Sequence, residues 1–172
     1  MGFMTTSLLT DAYRHHAWAT LRLLDACADL TDAQLATTVP GTYGSILDTL
    51  RHLVDSDAGY LFVISGGEVP DVIAEAMDLA GLRGVMERNS AAWERVLASD
   101  PDPDRVMVRK RDDGSETHAP LGIRLAQAIH HGTDHRSQVC TALTSLGMEP
   151  PFIDVWDFGD ATGRTKEIPP TS

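Results

Sequence analysis

The sequence contains no run of about 18 uninterrupted apolar residues, the least that a membrane-spanning helix needs. Cysteine is scarce as well: 172 residues hold two, Cys27 and Cys140. Neither has a CxxC partner, which excludes a disulfide scaffold and points to a reduced, cytoplasmic setting. Basic residues are short, 14 Lys and Arg against 25 Asp and Glu, for a formal net charge of -11. A chain so acidic repels phosphate backbones and anionic lipid, so neither nucleic acid nor a membrane surface is an expected partner. The nearest basic cluster, "RKR" at 109–111, is followed at once by Asp112 and Asp113. The N-terminus lacks the basic-then-apolar pattern of a signal peptide. "MGFMTT" matches the loose myristoylation pattern, which is too short to carry weight. There is no internal repeat, no low-complexity linker, no GxSxG, no P-loop and no GxGxxG.

What remains fits one domain over residues 1–172. Four segments have helix length and helical periodicity. The first runs from about Ser7 to Leu30, with Leu8, Leu9, Ala12, Tyr13, His16, Thr20, Leu23, Leu24 and Cys27 on one face. "TDAQL" at 31–35 reads as an N-cap and a short extra turn, and "PGTYGS" at 40–45 as a loop. The second helix is expected from Ser45 to Ser65, stopped by Gly66-Gly67, and the third from near Pro70 to Ser99. "RVMVRKRDDGSETH" reads as two short strands around an Asp113-Gly114 turn. The fourth helix is expected from Leu121 to Leu146, capped by Gly147. The tail shows no helical pattern; its aromatics are expected to pack back on the bundle, and residues from about 160 to 172 to be loose. The fold class is therefore all-α, a four-helix bundle with a small β-hairpin before the last helix.

"HHGTDHRSQV" at 130–139 places three histidines within six positions. A helix turns about 100° per residue, so His131 and His135, spaced i, i+4, share one flank of the fourth helix. His130 points away. An i, i+4 pair lets two imidazoles reach one ion, and a third ligand must come from another helix. His52, in "TLRHLVDSD", lies off the leucine arc of its helix, beside the small residues Ser45, Thr49, Ser56 and Gly59, which leave room for an ion. The pattern is not the HExxH of zincins, since Gly132 follows His131, and no Glu-x-x-His pair exists for a di-iron site. His16 reads as core or pocket lining, His15 as an edge residue, and His118 carries no pattern. Asp57 falls inside the leucine arc and needs a buried partner or an opening to water.

"HHAWATLRLLDAC", "GTYGSILDTLRHLVDSD" and "HHGTDHRSQV", in that order, resemble the DinB/YfiT-like family of metal-dependent helical bundles. The resemblance covers nearly the whole chain. It departs from the commoner "HRGQ" at Ser137, a change expected to be harmless. It implies a divalent metal (nickel, zinc, iron or manganese) held by His52, His131 and His135. It further implies a homodimer and a low-molecular-weight thiol as a possible cofactor of a transferase or isomerase. Three neutral imidazoles leave the metal with open positions, as catalytic sites do. The expected function is thus a metal-dependent transferase, isomerase or hydrolase, in which thiolate or hydroxide attacks a small electrophilic substrate. The substrate is expected to enter at the bundle end near the hairpin and tail. Asp55, Ser56 and Tyr60 are candidate pocket residues, and Arg136 and Gln138 are expected to cap or cross-link helices. The alternative is a non-catalytic, stress-associated bundle in which the metal only holds the helices. A metal-free interaction module is the third reading.

Overall fold

The computed structural model describes residues 8–72 and 74–170. The "MGFMTT" stretch and the expected helix start at Ser7 lie outside them. Four long helices form the body: α1 (Leu8–Cys27), α3 (Ile46–Ile64), α4 (Leu79–Ala98) and α5 (Leu121–Ser145). A short α2 (Asp32–Leu35) lies between the first two, strands β1 (Val106–Lys110) and β2 (Glu116–Pro120) precede α5, and α6 (Val155–Ala161) follows it.

The helix ends obey the local chemistry of the sequence. Ser45 accepts the Asp48 N–H and starts α3, and Thr31 with Gln34 forms a capping box on α2. Helix α3 ends in a Schellman motif: the Gly67 N–H reaches the Phe62 carbonyl at 2.8 Å, and Gly66 has φ 69°. Helix α5 ends the same way, with Met148 N–H on Leu143 O at 3.1 Å and Gly147 at φ 75°. The β1–β2 hairpin pairs Val106 with Pro120 and turns at Gly114, φ 79°, as the Asp-Gly signal indicated.

Two expectations need correction. The third helix starts at Leu79, not near Pro70. Asp78 caps it by accepting the Gly81 N–H at 2.8 Å. Upstream, the backbone is claimed by side chains of α3: Arg51 Nε donates to the Met77 carbonyl and Asp55 accepts the Ala74 N–H. Residues 70–72 and 74–78 therefore form a strap laid along α3, with Ala74 buried against it. The tail is partly helical. Asp154 and Asp157 form a capping box for α6, and Phe158 packs edge-on against His15 and Trp18 of α1. Beyond α6, Thr165 closes over Gly159, where a Cβ would meet its Cγ2 at 2.4 Å, and Arg164 pairs with Asp11. A segment without helical periodicity has become helical through its caps and tertiary contact.

Cross-helix pairs give the helix directions. Tyr13 meets Leu125 and Thr20 meets Arg136, so α1 and α5 run together. Arg14 pairs with Glu94 and Arg83 with Asp25, so α4 runs against α1. Tyr60 meets Gln127 and His52 meets His131, so α3 runs against α5. The order is up, down, down, up, and the strap supplies the long return that two successive down helices require.

The core divides in two. One apolar cluster gathers Leu23, Leu24, Leu50, Leu82 and Leu143; the other gathers Tyr13, Leu61, Trp93, Leu121 and Leu125. Between them, each long helix carries a buried polar residue: His16 on α1, Asp57 on α3, Asn89 on α4 and Arg136 on α5. This layer lies at the level of the α5 histidines. No described helix is long and apolar enough to cross a membrane.

Candidate metal centre

Helical spacing alone places His131 and His135 one turn apart on α5, and antiparallel packing of α3 brings His52 to them. The Nε2 atom of His131 lies 3.1 Å from Nε2 of His52 and 3.2 Å from Nε2 of His135. Three nitrogens bound at about 2.1 Å to one ion stand about 3.0 Å apart at octahedral angles and about 3.4 Å apart at tetrahedral ones. Both separations fall in that interval. One ligand atom from each ring lies within 4.8 Å of the others, so the trio could hold a metal ion. Among the described residues no fourth His, Cys, Asp or Glu joins the group.

The tautomer of His135 is set from outside. Its Nδ1–H donates to Oε1 of Gln138 at 3.0 Å, which leaves the Nε2 lone pair aimed at the group. The same Oε1 accepts the backbone N–H of Tyr43 at 3.0 Å. Gln138 thus ties α5 to the 40–45 loop rather than to another helix, and it also orients the His135 ring, which was not anticipated. The loop in turn lays the Tyr43 ring flat on His52, centroids 4.0 Å apart and planes 8° apart, and edge-on to His135. Tyr60 stands edge-on to His131 and receives a hydrogen bond from Gln127. Sequence reasoning found Tyr60 but not Tyr43; only the loop path reveals the latter.

Partial burial, then the neighbouring rings of His135 and His52, pushes His131 down to about 4 from the ordinary 6.5. Burial, then His135, lowers His52 as well. The neutral forms that metal ligation requires are thus the resting forms at neutral pH. Between pH 6.5 and about 4 the unfolded chain binds a proton that folded His131 refuses. The metal-free fold therefore loses stability as pH falls through that window and is unaffected by this ring above it. Urea midpoints of metal-free wild type and His131→Asn at pH 7 and pH 4.5 check this: the wild type should lose more on acidification. An equal loss would contradict it.

A cleft of about 1180 Å³ opens beside His52 along the outer flank of α3. Tyr43, Asp55, Ser56, Gly59 and Tyr60 line it, together with Asp71, Val72, Ala74 and Glu75 of the strap and Arg109 of β1. All three candidate pocket residues, Asp55, Ser56 and Tyr60, are there. The hairpin contributes Arg109 to this cleft, whereas the tail packs on α1 and is not among its lining residues. Burial raises the Asp55 carboxyl above its ordinary value, opposed by the Ala74 N–H it accepts.

The other histidines sort as follows. His130 is exposed. His118 is exposed and bonded to Glu116 at 2.7 Å. His15 meets the Ile153 carbonyl at 2.9 Å. His16 is fully buried, and its role emerges with Asp57.

The sequence pattern of the DinB family matches residues 4–168. The chain belongs to the DinB family. It is similar to Protein DinB of Bacillus subtilis (strain 168), 20% identical over 144 residues that cover 78% of this chain and 84% of that protein. The mostly helical body and the hairpin before its last long helix are the fold of this family member.

Proposed function

We propose that His52, His131 and His135 hold one divalent ion through Nε2, and that this DinB family protein is a metal-dependent enzyme acting on a small electrophile docked in the α3 cleft. The observation that carries the reading is that His52 belongs both to the nitrogen triangle and to the cleft wall. When bound, nickel, zinc, iron or manganese supplies Lewis acidity and acidifies a thiol or water. The chain's own residues do the rest. Tyr43 and Tyr60 wall the triangle on two sides and restrict water there. Asp55 lines the cleft and, with its raised pKa, is the group suited to take a proton from the attacking thiol or water. Arg51 and Arg109 offer cationic contacts to polar groups of the substrate. Among the described residues no fourth His, Cys, Asp or Glu joins the trio, and three protein ligands are the arrangement of catalytic rather than structural zinc sites, which favours the enzyme over a bundle that metal merely braces.

The test uses tag-free protein of known metal content, incubated with a panel of low-molecular-weight thiols and small electrophiles. Adducts and hydrolysis products are followed by mass spectrometry. Product above the uncatalysed background, dependent on both metal and Asp55, is the expected result. One equivalent of metal with no chemistry across the panel would leave the bracing role in its place.

A further inference from the structure

Asp57 is 2% exposed, yet its carboxylate lacks nothing. Oδ1 accepts from His16 Nε2 at 3.0 Å and from Trp93 Nε1 at 3.0 Å, and Oδ2 accepts from Asn89 Nδ2 at 2.8 Å. The other ring nitrogen of His16, Nδ1, accepts from Arg136 at 3.1 Å. An arginine can only donate, so His16 is the neutral tautomer with its proton on Nε2. A buried cation on α5 is thereby joined to a buried anion on α3 through a neutral imidazole on α1. The same guanidinium group donates to Thr20 Oγ1 at 3.2 Å and to Thr133 Oγ1 at 3.2 Å.

A relay of this kind is a poor way to stabilise a bundle, because an apolar layer of equal volume is often as stable or more so. Its placement is informative. It occupies the level where the α5 ligands sit. Arg136 follows His135 directly. The His16 ring lies against the backbone at Gly132, directly after His131 and on the stretch that leads to His135, so close that a Cβ there would meet Cε1 at 2.3 Å. Asp57 stands on α3 little more than one turn beyond His52. The two helices that carry the trio are thus joined twice: by the partly buried histidine trio, and by the fully buried relay. Apolar contact is non-directional and tolerates sliding. Hydrogen bonds fix distance and angle, and a ligating constellation tolerates only about 0.5 Å of error.

We propose that Asp57, His16 and Arg136 are positioning residues for the histidine trio: they set the register and rotation of α5 against α3, so that His131 and His135 meet His52. The inference rests on the metal reading above, so its test includes one arm that needs no metal. The variants are Asp57→Asn, which keeps the shape and removes the charge, and Arg136→Lys, which keeps the charge and removes the fork. Val85→Ala, a buried apolar truncation on α4 outside the relay, is the control. Cobalt(II) alone is the metal probe, read by its d–d absorption and by competition for affinity. Ring-to-ring nuclear Overhauser contacts among His52, His131 and His135 are read on metal-free protein.

Both relay variants should weaken cobalt binding about tenfold to a hundredfold, as loss of groups that orient ligands typically does. They should also alter the d–d spectrum and weaken the ring contacts. Val85→Ala should lower thermal stability while leaving affinity within about twofold and the ring contacts intact. Arg136→Lys decides the matter if Asp57→Asn does not fold. Relay variants with wild-type ring contacts and affinity would overturn the inference, as would a control that loses both equally. Wild type that binds no cobalt would end the metal reading alone, and the ring contacts would still decide the positioning.

Discussion

His131→Ala is expected to remove metal binding at stoichiometric concentrations, whereas His130→Ala leaves it unchanged. Of the three rings, His131 is the one whose Nε2 stands within 3.2 Å of both others. Without it, His52 and His135 remain as two ligands on separate helices, with no neighbour to fix their separation. Loss of a partner that merely orients a ligand costs about 10- to 100-fold in affinity; loss of the ligand itself should cost more, at least about a hundredfold. His130 is the fitting control because it is adjacent in sequence, identical in chemistry and exposed on the far side of the helix. The readout is metal content by plasma mass spectrometry after reconstitution and desalting. A stoichiometric ion in His131→Ala, or its loss in His130→Ala, would show that the wrong histidines have been chosen.

Gly132→Ala is expected to destabilise the fold by about 3 kcal/mol, although helix propensity alone predicts a gain of about 1 kcal/mol. The added Cβ would stand 2.3 Å from His16 Cε1, 2.6 Å from His16 Nδ1 and 2.9 Å from an Arg136 nitrogen. The ring cannot swing clear, because both its nitrogens are committed, to Asp57 and to Arg136. Displacing it leaves buried hydrogen-bonding groups unmet at about 1–3 kcal/mol each, and the groups here are charged. In a domain of this length such a loss lowers Tm by about 10 °C. Thermal and urea denaturation measure it. Combining His16→Ala with Gly132→Ala should cost less than the sum of the single changes, since removing the ring makes room for the methyl group. A Gly132→Ala protein as stable as wild type would mean that His16 is not held where the relay requires.

The histidine trio was legible because its geometry is largely local. An i, i+4 pair shares a helix face whatever the helix packs against, and His52 betrayed itself by lying among small residues off the leucine arc. Asp57 was legible as a problem, a carboxylate on an apolar face, but not as a solution. Its partners come from residues 41, 32 and 36 positions away in the chain. Asn89 and Trp93 carried no signal of their own. Nor did Gly132: a Cβ at the helical glycines Gly59 and Gly84 would meet nothing nearer than 3.6 and 3.7 Å, so glycine in a helical pattern does not by itself mark a close approach.

The errors have the same origin. A third helix is expected from near Pro70, yet ahead of Leu79 the Met77 carbonyl and the Ala74 N–H go to Arg51 and Asp55 of α3. The tail looked irregular, yet Phe158 finds Trp18 and a helix forms. In each case periodicity reported the burial of side chains and said nothing of which hydrogen bonds the backbone would make.

By itself, then, the sequence determined the four long helices, most of their ends, the hairpin turn and the face on which each histidine lies. Those depend on propensity, capping and a repeat of 3.6 residues, all contained within a few turns of chain. The tertiary structure decided the strap, the tail helix, the loop that lays Tyr43 over His52, the cleft along α3 and the relay through Asp57, His16 and Arg136. Each of these joins groups far apart in sequence, and the energy that selects it exists only once the helices have met.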